Sequence, residues 1–373
     1  MCSVRIVSPP PKDSSGVGKY SDILAGELKD EAAVKRTYVP AESTRPLRFA
    51  GAAIDAGTAD EDVVHVQFDY VIFGSFSLMT LVFFPILFVL KQVYDTDVVV
   101  TMHEALNPEL VESPFRSLKR LYVSVLNRCI SEPADRVIFL SDRTESIFER
   151  YLTEQQPIRV PHGVPKVASS NRTQRGAKEF FGYREDETLI VEPGYVDPRK
   201  GSHVFKKIAS EMPQFNFMLA GGSPRAKHDK YAADVAAEAP SNLEMTGVLD
   251  DDAFHLSFQA ADLVVLPYQE TEQSGITNVV AQSGVFNLAI GYELPIVASD
   301  CPYFRTIEAQ WGCIKTFDDV DNATVVISNL LADDDERERL TNAADRFRET
   351  NDFQRVAHRH LSIYSGVPEG RDT

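Results

Sequence analysis

The sequence predicts an α/β protein made of two doubly wound, Rossmann-like domains facing across a cleft. Three observations predict it. Apolar, β-rich runs alternate with helical patterns along the whole chain, as βαβ units and parallel sheets require. A length of 373 residues suits two domains of ordinary size. Near the middle, Ala168-Ser169-Ser170-Asn171-Arg172-Thr173 carries no core pattern and reads as a linker. The expected bounds are 1–167 for an N-terminal domain, 168–345 for a C-terminal domain and 346–373 for a closing helical segment.

The elements follow in order. Val4–Val7 is a strand ended by Pro9-Pro10-Pro11, and Gly18–Asp30 is a helix. Val63–Phe68 and Asp97–Met102 are buried strands. Between them, Val71–Leu90 is a 20-residue stretch without a charge, about the length of a membrane span. Gly74, Ser75, Ser77 and Pro85 argue against a span, so the segment is expected to be a helix covered by a sheet, with a membrane-contacting face as the alternative. Helices are expected at Arg116–Ile130 and Arg143–Leu152, around the strand Val137–Leu140. In the second half, strands are expected at Leu189–Glu192, Phe215–Leu219, Leu263–Leu266 and Ile296–Ala298, with a helix at His203–Glu211. Asp333–Tyr364 reads as helices.

Composition bounds the function. The formal net charge is −17, which excludes a generic nucleic-acid binder: a phosphate backbone repels such a surface. There are 14 Lys against 24 Arg, and 29 Asp with 26 Glu. Acid-rich, Lys-poor surfaces resemble those of salt-loving organisms, where salt screens the repulsion. Runs such as Asp250-Asp251-Asp252 and Asp333-Asp334-Asp335-Glu336 are solvated faces and helix starts rather than metal sites. The four cysteines lack C-x-x-C spacing and read as reduced residues of a cytoplasmic protein. No signal peptide opens the chain, since Val4-Arg5-Ile6-Val7 is a strand pattern.

Open parallel sheets bind ligands at the carboxyl ends of their strands. Four segments there carry candidate chemistry. Ser14-Ser15-Gly16-Val17-Gly18 follows a strand and opens a helix, so Gly16 and Gly18 let backbone N–H groups approach an anion. Glu192-Pro193-Gly194 leads through Arg199 and Lys200 to a helix near Gly201; a bound anion would offset two cations at a helix start. Gln273-Ser274-Gly275 and Gln282-Ser283-Gly284 repeat a triplet nine residues apart, and Ser before Gly is a helix cap that leaves donors for a phosphate. On one continuous helix nine residues turn through about 900°, so the two triplets would face opposite sides. Finally, Thr101-Met102-His103-Glu104 puts His103 at a strand end, in reach of a substrate. Neither G-x-S-x-G, H-E-x-x-H nor G-x-x-x-x-G-K-[ST] occurs.

In this order the features resemble the GT-B glycosyltransferases of family 4 over almost the whole length. The matching residues are Gly16-Val17-Gly18, Val64–Phe68, Thr101–Glu104, Pro161-His162-Gly163-Val164, Gly194 with Lys200-Gly201, Gly221-Gly222, Thr246-Gly247, Ala261–Tyr268 and Gln282–Ser299. The resemblance implies a retaining, metal-independent transferase with no cofactor, using a nucleotide-sugar donor. It implies that Lys200, beside Arg199, contacts the donor diphosphate, and that Gln282, Ser283 and Gly284 form the helix start beneath it. Gly16 and Gly18 match a loop that closes over the phosphates, and His103 matches a histidine on the transferred sugar. The final helix, in resembling proteins, crosses back to the first domain. A growing glycan or a lipid-linked sugar is the implied acceptor, with peripheral contact at the inner face of a membrane through Val71–Leu90.

The chain also departs from that pattern. Many members carry two Glu where Val280 and Leu288 stand, an Arg where Tyr195 stands and a Gly where Glu293 stands. A branch of the family with Q-S-G in place of the first Glu looks like this chain, which carries about nine extra residues from Ile276 to Gly284. Glu270 or Glu272 is then the candidate for the missing carboxylate. The missing pair keeps a catalytically silent GT-B binding module as an alternative, and a phosphorylase or epimerase on the same fold is another.

Overall fold

The computed structural model describes residues 2–11, 16–41, 43–111, 115–155, 157–167, 172–223, 228–273, 276–278 and 280–366. The chain divides into two compact units. The first comprises residues 1–163, 272–277 and 351–373; the second comprises 164–271 and 278–350.

The first unit holds strands β1 (Ser3–Ser8), β2 (Ala33–Tyr38), β3 (Val63–Phe68), β4 (Asp97–Met102), β5 (Arg136–Phe139) and β6 (Pro157–Arg159). They form one sheet, all parallel, in the order β2-β1-β3-β4-β5-β6. β3 is buried at all six positions, as a central strand covered on both faces must be. The helices are α1 (Gly16–Leu28), α2 (Pro46–Gly57), α3 (Thr80–Tyr94), α4 (Arg116–Ser131) and α5 (Asp142–Phe148). α1 buries Val17, Tyr20, Leu24, Ala25 and Leu28, one face at helical spacing.

The second unit holds β7 (Leu189–Pro193), β8 (Asn216–Ala220), β9 (Leu243–Met245) and β10 (Leu263–Leu266). It also holds β13 (Ile296–Ser299) and β14 (Lys315–Phe317), while the short pair β11 (Thr271–Gln273) and β12 (Ile276–Asn278) falls mostly within residues 272–277 of the first unit. The main sheet of the second unit is parallel in the order β14-β13-β10-β7-β8-β9. Alternate residues feed two cores: Leu189, Val191, Met218, Val264 and Ala298 face one, while Ile190, Phe217, Leu263, Val265 and Val297 face the other. The helices are α6 (Gln174–Phe180), α7 (Ser202–Glu211), α8 (Asp229–Ala236), α9 (Asp251–Ala260), α10 (Gly284–Gly291), α11 (Pro302–Trp311), α12 (Val320–Ala332) and α13 (Asp334–Asn351). Both acidic runs start helices: Asp250 accepts from the Ala253 N–H at 2.8 Å and Asp333 from that of Glu336 at 2.9 Å.

The last helix, α14 (Phe353–Tyr364), belongs to the first unit. Phe353, Val356, Ala357, Ile363 and Tyr364 join Tyr20, Leu24 and Val4 in one core. A Cβ at Gly163 would lie 2.7 Å from the Phe353 ring, so glycine is required for this approach.

One expectation needs correction. Val71–Leu90 is not one covered helix. It comprises two single 3₁₀ turns, at Tyr70–Ile72 and Ser75–Ser77, followed by most of α3. Phe83, Phe84 and Leu87 are buried, but Val71, Phe76, Leu78, Phe88 and Val89 are exposed. Nor does one continuous helix carry both Gln-Ser-Gly triplets. β11 and β12 intervene, and the helix begins only at Gly284.

Candidate functional site

In the second sheet the strand order reverses between β7 and β10, so ligands are expected over the carboxyl ends of those two strands. The loops leaving them interlock. The Gly194 N–H donates to the Ala220 carbonyl at 3.0 Å, and that of Gln269 to the Arg199 carbonyl at 2.8 Å. Asp197 caps the turn Pro198–Lys200 by accepting from the N–H groups of Arg199 and Lys200. Gly201 follows at φ +76°, where a Cβ would lie 1.8 Å from the Pro267 carbonyl oxygen.

This packing sets Lys200 against Tyr268. The ammonium hydrogen-bonds to the Tyr268 hydroxyl and lies 4.1 Å from that ring's centroid. The Tyr268 hydroxyl also meets Ser283 Oγ at 2.8 Å, and the Tyr268 carbonyl accepts from Ser299 Oγ at 2.6 Å. Ser283 caps α10, its Oγ accepting from the Phe286 N–H at 3.1 Å. The first-turn N–H groups of Gly284 and Val285 have no intrahelical acceptor. Among the described residues, Gln282 Oε1 and Asn287 Oδ1 are buried without a hydrogen-bond partner. A cation, a hydroxyl pair and a helix N-terminus thus converge at one strand-end cluster, the equipment for an oxyanion such as a phosphate.

Beneath it, Glu192 is buried at the end of β7. Ser202 Oγ donates to its Oε1 at 2.7 Å, while Oε2 has no partner among the described residues. Burial pushes this carboxyl up to about 8, outweighing the Ser202 hydrogen bond and the Lys200 charge. Sequence reasoning counted Glu192 only as a strand end and gave Tyr268 no role. A carboxylate closing an otherwise apolar strand was the available signal for the first.

The first unit has its own cluster at the ends of β3 and β4. His103 Nε2 donates to Gln67 Oε1 at 2.8 Å, and the His103 N–H donates to the Phe68 carbonyl at 2.9 Å. Gln67 Nε2 donates to His65 Nε2 at 3.0 Å, and His65 Nδ1 bonds Tyr364 at 2.6 Å. The Tyr20 ring lies 4.9 Å, centroid to centroid, from both His103 and His162. Burial lowers His103 to about 3 and both His162 and His360 to about 4. These imidazoles are neutral near pH 7, so His103 offers hydrogen bonds rather than charge.

The predicted site residues therefore divide. Lys200, Ser283, Gly284 and Gln282 gather in the second unit. Arg199 is exposed on the same turn, and Glu270 is exposed in the loop after β10. The Glu272 side chain and Ser274-Gly275 lie outside the described residues. In the first unit, Gly18 packs on the loop after β1, where a Cβ would lie 2.4 Å from the Pro10 carbonyl oxygen; Gly16 is exposed at the start of α1. Ser14 and Ser15 fall outside the described residues.

Residues 174–347 match the family model "glycosyl transferases group 1". The chain is 26% identical over 152 residues to a processive diacylglycerol alpha-glucosyltransferase of Acholeplasma laidlawii, covering 38% of this chain and 43% of that protein. It is 28% identical over 131 residues to an alpha-galactosylglucosyldiacylglycerol synthase of Streptococcus pneumoniae, covering 34% and 32%. It thus spans less than half the length of these relatives. The crystal structure of HepE from Anabaena with UDP and glucose superposes with a TM-score of 0.73 at 12% identity, over 98% of this chain and 100% of that one. The fold is therefore GT-B, two Rossmann-like domains, and the similarity to the glycosyl transferases group 1 family falls on residues 174–347.

Proposed function

We propose that the protein is a retaining, metal-independent glycosyltransferase of the cytoplasm. It moves a sugar from a nucleotide-sugar donor to a lipid-linked or glycan acceptor. The observation that carries this reading is the Lys200–Tyr268–Ser283 chain of contacts at the strand switch point. Lys200, with Arg199 beside it, and the α10 N-terminus, led by Gln282, Ser283 and Gly284, stabilise the charge that develops on the departing diphosphate. His103, neutral and held by Gln67, contacts the transferred sugar. Gly16 and Gly18 close over the phosphates, and Glu270 or Glu272 binds the ribose hydroxyls. The two diacylglycerol-linked relatives support a lipid-linked acceptor.

The test is turnover of a panel of nucleotide sugars at high salt, with lipid and glycan acceptors. The expected result is nucleoside diphosphate release that resists EDTA, with the donor's anomeric configuration kept in the product by NMR. Inversion, or loss of activity with EDTA, would refute that part of the mechanism. A second reading, a binding module without catalysis, is favoured by Val280 and Leu288. Val280 is buried, and Leu288 packs against the same core, so neither position offers a carboxylate. Binding of a nucleotide sugar without turnover of any acceptor would select it.

A further inference from the structure

One face of the first sheet is polar at its centre, where a buried parallel sheet is ordinarily apolar. His65 and Gln67 lie two apart on β3, and Thr101 and His103 lie two apart on β4 and just past its end, so each pair shares a face. The register sets Gln67 beside Thr101. His65, Gln67 and Thr101 are wholly buried, and His103 is 3% exposed. Apolar side chains would fill the same space at less cost, because a buried polar group loses free energy unless it finds a partner. Here the four find one another, and the last link leads to Tyr364, the final residue of α14.

The links form one directed chain. Gln67 Oε1 accepts from His103 Nε2, and Gln67 Nε2 donates to His65 Nε2. The Thr101 hydroxyl, 2.8 Å from His65 Nε2, donates to the same atom. A neutral imidazole carries one proton, so His65 holds it on Nδ1 and donates it to the Tyr364 hydroxyl oxygen at 2.6 Å. Burial keeps both His65 and His103 neutral near pH 7. His360 packs 5.4 Å from the His65 ring, but its own Nδ1 is committed to the Val356 carbonyl at 2.7 Å. Tyr20 meets the His103 ring edge-on at 84°, which fixes the ring's plane. The Gln67 amide couples the two histidines. If His65 moved its proton to Nε2, Gln67 would have to turn its oxygen toward it. The amide NH2 would then face His103 Nε2 and drive the His103 proton to Nδ1.

We propose that Tyr364 is a positioning residue that acts through His65 and Gln67 to hold the His103 proton on Nε2, leaving Nδ1 as the ring's acceptor. On the transferase reading above, a hydroxyl of the sugar meets that acceptor. The inference rests on that reading only for this consequence. The tautomer is read without donor or acceptor, so failure of one is distinguishable from failure of the other. The experiment is long-range proton–nitrogen NMR of the full chain labelled at histidine, at pH 7, with the His103 signals identified by their loss in His103→Gln. In the wild type the Nε2-protonated form of His103 should exceed the Nδ1-protonated form by about tenfold, the ratio that one ordinary hydrogen bond sustains. Tyr364→Phe keeps the ring and removes the acceptor of His65, leaving a buried N–H unpaired, so the His103 ratio should fall by about tenfold. In a Gln67→Leu background the same substitution should leave the His103 ratio unchanged, because the middle link is gone. An unchanged ratio in Tyr364→Phe would overturn the proposal, as would a wild-type His103 protonated on Nδ1. So would an equal response to Tyr364→Phe with and without Gln67, the mark of a purely structural effect. If Tyr364→Phe does not fold, Gln67→Leu alone decides: a lowered ratio supports the chain of links, and an unchanged one overturns it.

Discussion

The ammonium of Lys200 rests on the ring of Tyr268 and bonds the hydroxyl of that same residue. One tyrosine therefore both shields the cation and links it to Ser283 at the head of α10. Tyr268→Phe keeps the ring but removes that link. Hydrogen bonds to charged groups are worth about 1.5–3 kcal/mol, so nucleoside diphosphate affinity should fall roughly tenfold or more. Calorimetric titration of the variant checks this, and unchanged affinity would remove Tyr268 from the site.

Gly201→Ala should damage the fold before the chemistry. The new methyl would sit 1.8 Å from the Pro267 carbonyl at a backbone angle that favours glycine. A loss of about 2 kcal/mol or more is expected from strain and displacement together. Urea denaturation measures it, and wild-type stability would show that the two loops separate at no cost.

Glu192 makes stability fall as pH rises. Its folded carboxyl is raised to about 8, so the native state holds a proton that the unfolded chain releases from the ordinary carboxyl range upward. The contribution is fully present at acid pH and is lost as pH climbs through the folded value. Glu192→Gln should abolish this dependence and raise the melting temperature at pH 9 relative to the parent. Parallel melting curves for the two proteins between pH 5 and pH 9 would contradict the assignment.

The histidine cluster has the opposite sign. His103, His162 and His360 titrate lower in the folded state than in the unfolded chain. From the ordinary histidine range down to about 4, the unfolded chain therefore binds more protons, and acidification destabilises the first unit. Each residue contributes up to about 1.4 kcal/mol per pH unit in that window. Melting curves recorded from pH 7 to 4 should steepen downward, and His103→Gln should flatten them. A variant as acid-sensitive as the parent would place the destabilisation elsewhere.

The sequence made the interior of the fold legible and left its margins obscure. All eight strands expected from apolar runs are interior strands of the two six-stranded sheets. The four strands of these two sheets that it did not disclose, β2, β6, β9 and β14, are their four edges; the short pair β11–β12 was not disclosed either. An edge strand is covered on fewer sides, so it needs fewer apolar residues: β2 carries Lys35 and Arg36 side by side, and the other three span three residues each. At the site, glycines and cations stood out because their chemistry is local. Tyr268 did not, because a tyrosine after a strand carries no signal until packing brings Lys200 and Ser283 to its hydroxyl.

The most direct measurement is isothermal titration of UDP, GDP, ADP and TDP into the wild type and Lys200→Ala at high salt. The account predicts that at least one diphosphate binds the wild type and that Lys200→Ala weakens it by about a hundredfold, the size typical of losing one charge-stabilising group. Equal affinity in both proteins would contradict the assignment of Lys200 and the α10 N-terminus as the diphosphate site.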